Sequence, residues 1–271
     1  TSNYVGDMDE VQVSSIVTAG PSAADPVVLA TSAERYEGGA SLTNTITGFT
    51  PAIGPGTKLV VCAGWEGGVP ITSVTYGGQS FTPAIYLGGG RNAAIWYLDE
   101  PLAATGDVVV QFDGSVRSRI GVLSLQDAAA GDPVQRASAG GSMTLNLFSP
   151  VENALSVGVY TENNGGPVFS SDFANTLYSG DSGSSLSHAG YQVEAVSGPK
   201  TYNWFATANS CAAVAASFAP VDTLLTDNNV PVADAQNVIL SANSSLAITL
   251  SGSDADSNPL TYTVVTPPAK G

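Results

Sequence analysis

The stretch "DVVVQFDG" (residues 107–114) decides the fold class. Val108, Val110 and Phe112 fall on one face of an extended chain, while Asp107, Gln111 and Asp113 fall on the other. A period of two is the signature of a half-buried β-strand, because successive side chains of a strand point to opposite faces. "NALSVGVY" (153–160) repeats the pattern with Leu155, Val157 and Val159. Working outward, clusters such as "EGGA", "GPGT", "EGGVP", "LGGGRN", "NNGGP" and "SGDSGSS" punctuate the chain at short intervals and read as turns. The runs between them predict strands near 9–17, 27–33, 41–48, 58–65, 72–76, 80–87, 92–98, 107–113, 118–126, 142–148, 153–161, 187–196 and 201–218. No segment holds a helical period beyond a turn or two, and "LQDAAAGDPV" (125–134) has room for one short helical turn. Many short strands without helices predict an all-β chain built as an antiparallel sandwich or jelly roll.

Composition bounds the function classes. The chain has 271 residues, of which 43% are hydrophobic and 11% charged, with 23 acids against 8 bases and a net charge of −15. That balance opposes nucleic acid and anionic membrane surfaces, both of which need clustered Lys and Arg. It fits cation binding and a soluble extracellular life. Only three lysines occur, Lys58, Lys200 and Lys270. No apolar run reaches the ~18 residues that a spanning helix needs. The chain starts at Thr1 without a basic segment before an apolar one, and is expected to be a mature or clipped form.

The texture changes at Val221. "VDTLLTDNNVPVADAQ" groups Asn, Asp and Pro and reads as a linker. The alternating runs "NVILSANSSLAITLSGSD" and "LTYTVV" follow. The expected organisation is a sandwich over 1–220, a linker over 221–231 and a partial β-domain over 232–271. A complete immunoglobulin-like sandwich takes about 100 residues and roughly seven strands. The strands expected after 236 would leave open edges and uncovered apolar faces, so cover is expected from another copy or from further residues of the parent chain; a cut chain is the competing reading.

Four stretches, "KLVVCAGWEGGVPITSVTYGGQSFT", "RNAAIWYLDEPLAATGDVVVQF", "RIGVLSLQDAAAGDPV" and "AGYQVEAVSGPKTYNWFATANSCAAVAASFAP", resemble in order a jelly-roll module of secreted bacterial proteins. That resemblance implies a fold and a cell-surface or extracellular setting beside carbohydrate-recognising or adhesive modules; it implies no reaction. "VPVADAQNVILSANSSLAITLSGSDADSNPLTYTVVTPPAKG" is similar to the opening of cadherin-like or immunoglobulin-like bacterial repeats, in which an Asp-x-Asp turn is associated with Ca²⁺.

Candidate sites follow from residue chemistry. Asp254, Asp256 and Asn258 place three oxygen-bearing side chains at two-residue spacing ahead of Pro259, a pattern that suits Ca²⁺ when backbone carbonyls and acids such as Asp227 or Asp234 complete the set. The competing reading is an Asx-turn cluster that ends a strand. Asp7, Asp9 and Glu10 read as a solvated acidic end, with a cation site as the alternative. Tyr160, Glu162, Asn163 and Asn164 offer an aromatic ring beside polar side chains, the chemistry of a carbohydrate site, against the alternative of core packing and a polar loop. Cys62 and Cys211 lie in strand-like runs. They are expected to form a disulfide, whose long loop would contribute about 5 kcal/mol in the chain-entropy model; two buried thiols are the alternative. His188 is the single histidine and no G-x-S-x-G turn occurs, so neither a Cys/His zinc set nor a Ser/His/Asp arrangement is spelled out. Paired acids suited to glycoside hydrolysis are not marked out. The expected function is non-catalytic: an extracellular or cell-surface structural or adhesive module, a subunit of a linear assembly. A carbohydrate-binding accessory module of a secreted polysaccharide-degrading enzyme is the alternative. Expected partners are other copies, other extracellular proteins or glycans.

Overall fold

In the computed structural model the described residues are 25–133, 135–140, 144–147, 151–163, 170–181, 185–205, 211–221, 232–234, 247, 249–253, 260 and 262. The chain divides into two units, one of Ala23–Asp222 and one of Thr1–Ser22 with Thr223–Gly271. Among the described residues the structure is all-β and sandwich-like, its strand pairs antiparallel.

The first sheet of Ala23–Asp222 holds β1 (Val28–Phe49), β2 (Lys58–Glu66), β3 (Ile71–Tyr76), β4 (Gln79–Ser80), β5 (Thr82–Leu87), β6 (Arg91–Asp99) and β7 (Gly106–Gln126). Its order is β4-β3-β7-β2-β6-β5, with β1 paired along β7. The expected strands 107–113 and 118–126 are one continuous strand, and so are 27–33 and 41–48. The β1–β7 ribbon breaks register between Glu37 and Ser41, around Gly38 and Gly39. Its two halves therefore pair differently: β3 takes Val108 to Phe112, and β2 takes Ser118 to Leu125. The sheet folds over itself around Val61, Trp65, Tyr76, Val108, Val110, Phe112 and Val122.

A second sheet, of order β12-β13-β10-β15-β8, contains β8 (Gln135–Gly140), β10 (Leu155–Asn163), β12 (Asn175–Asp181), β13 (Ser185–Val193) and β15 (Cys211–Phe218). Between the two sheets lies a second core that includes Val60, Cys62, Ile95, Leu123, Leu155, Val157, Val159, Val214 and Phe218. On its far side the second sheet is covered by β9 (Thr144–Leu147), β11 (Ser170–Ser171) and β14 (Lys200–Phe205). This third core contains Leu145, Tyr160, Phe173, Leu186, Tyr202 and Trp204.

Three stacked cores explain the sequence texture. Central strands with both faces covered must be apolar or small throughout, and β2 and β15 are buried along almost their whole lengths. β7 shows both regimes in one strand. It alternates from Asp107 to Asp113, where one face meets water, and is buried without interruption from Ile120 to Leu125, where both faces are covered. The sheets approach closely at Gly64, where a Cβ would lie 2.0 Å from the Ser187 hydroxyl and 2.4 Å from that of Thr161.

Several expectations are corrected. The run 201–218 is two strands of different sheets, β14 and β15. Strands β8 and β12 are additional, and the short pair β11 also went unread. "LQDAAAGDPV" forms no helix: Asp127 takes a positive φ of 57° and Ala128 bridges Pro220. Cys62 and Cys211 are not joined in a disulfide. The reason is strand parity. Cys62 points into the core between the sheets, whereas Cys211 shares the opposite face of β15 with Ala213 and Ala215. Of the other unit, β16 (Val232–Ala233) pairs antiparallel with β17 (Gly252–Ser253), and the Asp234 amide donates to the Ser251 carbonyl.

Candidate functional site

The sequence-derived carbohydrate residues do not come together at a surface. Tyr160 and Glu162 are buried, at 0% and 1% exposure. Strand β10 is central, so its Tyr160 and Glu162 face points into the third core. There Tyr160 stacks on Trp204 at 5.6 Å and donates to Glu162 Oε2 at 2.9 Å. An interior ring offers no platform to a sugar. Asn163 closes β10, and Asn164 lies outside the described residues, as do Asp254, Asp256, Asn258, Asp7, Asp9, Glu10 and Asp227. Among the described residues no group of three or more potential metal ligands occurs.

Burial sets the protonation of this interior. Desolvation raises the Glu162 pKa, and the Tyr160 hydrogen bond pulls it part of the way back. A carboxyl whose folded pKa is raised stabilises the fold below its unfolded pKa, about 4.3, and loses that contribution as pH rises through the folded value. Glu162→Gln, which keeps an acceptor for Tyr160, is therefore expected to raise the thermal midpoint at pH 7 and to leave it unchanged near pH 3. Thermal melts of both proteins across that range are the check. His188, directly opposite Tyr160 in register, is 1% exposed, and burial lowers its pKa to about 4.

An open cleft of about 500 Å³ lies elsewhere, lined by Glu66, Gly67, Val69, Gly90, Arg91, Ser115, Val116, Arg117 and Ala40. Its position follows from register. The sandwich unit begins where Val28 pairs with Gln126 and ends where Ala128 bridges Pro220, so the chain enters and leaves at one end. Lys58, the first residue of β2, pairs with Leu125 at that end. Glu66, the last residue of β2, lies about 26 Å away along the strand at ~3.3 Å per residue. The cleft is thus at the end remote from both chain connections.

Local sequence builds this end. Gly67 takes a φ of +80° in the "EGG" turn, and its amide donates to the Gly90 carbonyl at 3.2 Å. The Asn92 amide donates to the carbonyls of Trp65 and Gly67, tying the two Gly-rich loops together. Glu66 faces Arg91 at 3.8 Å and Arg117 at 3.7 Å; the Arg117 side chain is 42% exposed. Arg119 pairs with Glu34 at 3.1 Å and lies over the Tyr36 ring, and Arg35 pairs with Glu37. Four of the chain's eight basic residues gather toward this end of a strongly acidic protein. Tyr86, half exposed, lies flat on Trp65 at 5.7 Å and donates to Asn92 at 3.3 Å. Gly88 makes room for it, since a Cβ there would meet the Tyr86 hydroxyl at 1.9 Å.

The sequence alone did not point to the arginines. Arg91 and Arg117 are far apart in the chain, and only the pairing of β2 with both β6 and β7 brings them to one carboxylate. Among the described residues no helix is long and apolar enough to cross a membrane. Compared with protein-family models, curated proteins and solved structures, the chain matches none.

Proposed function

We propose that this protein is a non-catalytic extracellular or cell-surface adhesive module that presents the Glu66–Arg91–Arg117 cleft to an anionic partner. The observation that carries the reading is placement: the cleft sits at the end of the sandwich unit opposite the point where the chain enters and leaves. A module attached at one end projects its other end outward. Arginine suits the role because its planar fork pairs with carboxylate and sulfate oxygens, and Glu66 holds both guanidinium groups in place until an anion competes for them. The groups with chemical potential, Glu162, His188 and Cys62, are interior, which supports a binding role over catalysis.

The second reading, a carbohydrate-binding accessory module, is favoured by Tyr86 lying flat on Trp65, because a half-exposed ring stacks on the apolar face of a neutral sugar. An array of acidic and neutral glycans probed with the full chain separates the two. Acidic glycans are expected to bind, with affinity falling at least about tenfold in Arg117→Ala and at raised salt. Binding of neutral glycans alone, abolished by Tyr86→Ala, would establish the second reading; no binding by either class would remove the cleft as the site.

A further inference from the structure

Lys58 is one of three lysines and is buried, although lysine is among the residues least often found inside. Its register partner on β6 is Asp99, and its Nζ pairs with Asp99 Oδ1. The Tyr97 ring centroid lies 4.4 Å from Nζ and that of Phe218 5.4 Å away. Gly131 contacts both partners: its carbonyl accepts from Nζ at 2.9 Å, and its amide donates to Asp99 Oδ2 at 2.8 Å. A second carboxylate is close by, Asp132, whose Oδ1 accepts from the Tyr97 hydroxyl at 2.7 Å.

We propose that Lys58 and Asp99 form an intramolecular amide cross-link between β2 and β6. The reaction is a condensation: a proton passes within the ion pair from Nζ to Asp99 Oδ1, and the resulting amine and carboxyl give one amide and one water, with no change of oxidation state. The Nζ lone pair adds to Asp99 Cγ, and the electrons of the Cγ–Oδ2 double bond move onto Oδ2, where the Gly131 amide stabilises the charge. Collapse restores the double bond and breaks Cγ–Oδ1. Oδ1 leaves as water, its second proton coming from Nζ by way of Asp132, which Tyr97 holds in place.

Two features favour this chemistry over a permanent ion pair. The Lys58 amine is buried against the Tyr97 and Phe218 rings, and burial lowers its pKa, with the Asp99 hydrogen bond and the Asp99 and Asp132 charges acting in the opposite direction. Desolvation disfavours the ammonium, and the amine left when its proton passes to Asp99 is a nucleophile. The product also suits the site. An amide has one N–H and one C=O, and Gly131 supplies one acceptor and one donor at those two atoms. The bond would lie at the end where the sandwich unit is joined to the rest of the chain, closing a loop through β3, β4 and β5.

Intact-mass measurement on the denatured wild-type chain tests the proposal without any variant. The expected mass is lower than the sequence mass by one water, and digestion yields one fused peptide containing both Lys58 and Asp99. Lys58→Arg and Asp99→Ala are each expected to restore the missing water, which separates the cross-link from cyclisation of an aspartate elsewhere. Asp132→Ala is expected to slow the loss at least tenfold; an unchanged rate would overturn the role given to Asp132. A wild-type chain at full sequence mass after prolonged incubation, with the Lys58 amine open to acylation once unfolded, would overturn the proposal itself.

Discussion

Acidification from pH 7 to pH 4 is expected to remove about 3 kcal/mol of stability from the sandwich unit through His188 alone. Burial lowers the folded pKa of this histidine from its ordinary 6.5 to about 4. Above pH 6.5 the imidazole is neutral whether folded or unfolded, and the contribution is fully present. Below that value the unfolded chain takes up a proton that the folded chain refuses, and stability falls until the folded group also titrates. Urea midpoints measured between pH 4 and 7 on the wild type and on His188→Gln are the check. The variant is expected to lose the part of the slope that lies between pH 6.5 and 4. Parallel curves for the two proteins would mean that His188 is not held neutral by the fold. Glu162 acts in the opposite direction on the same third core, so the wild-type slope alone understates the histidine and the difference between proteins is the informative quantity.

Trp204→Ala is expected to destabilise the unit by about 3–5 kcal/mol, lowering the melting temperature on the order of 10 °C. The indole is 1% exposed and forms the centre of an aromatic group, stacked on Tyr160 at 5.6 Å and tilted against Phe173 at 5.8 Å. Phe173 in turn lies flat on Tyr202 at 4.1 Å. Gly158 permits this packing, since a Cβ there would stand 2.5 Å from the Phe173 ring and 3.0 Å from the Trp204 ring. The neighbouring strands are tied into two hydrogen-bonded sheets and cannot collapse into the space that an alanine leaves. Leu102→Ala, at a side chain 80% exposed, is the matched comparison and is expected to change stability by no more than about 0.5 kcal/mol. A Trp204→Ala loss below about 1 kcal/mol would show that the third core does not contribute cooperatively to the unit.

The sequence alone determined that this protein is all-β and where most of its strands fall. Alternation in Asp107–Asp113 and the turn residues between runs are local consequences of the two-residue repeat of a strand and of backbone freedom at glycine. They need no knowledge of neighbours. Even the uninterrupted burial of β2 and β15 was written as continuous runs of apolar and small residues. What the sequence did not determine was what each face meets. Tyr160 and Glu162 have the composition of a sugar site, yet a third layer of short strands covers them; polar stretches such as Ser170–Ser171 give little strand signal on their own. Cys62 and Cys211 lie in runs of equal promise, but side-chain parity sends one thiol between the sheets and the other away from it. Arg91, Arg117 and Glu66 meet only because β2 pairs with both β6 and β7, and the same pairing sets Lys58 against Asp99. Strand formation is decided within a few residues. Which faces are covered, and which distant side chains share an end of a sheet, is decided by register and layer stacking, and these are fixed only when the whole set of strands packs at once.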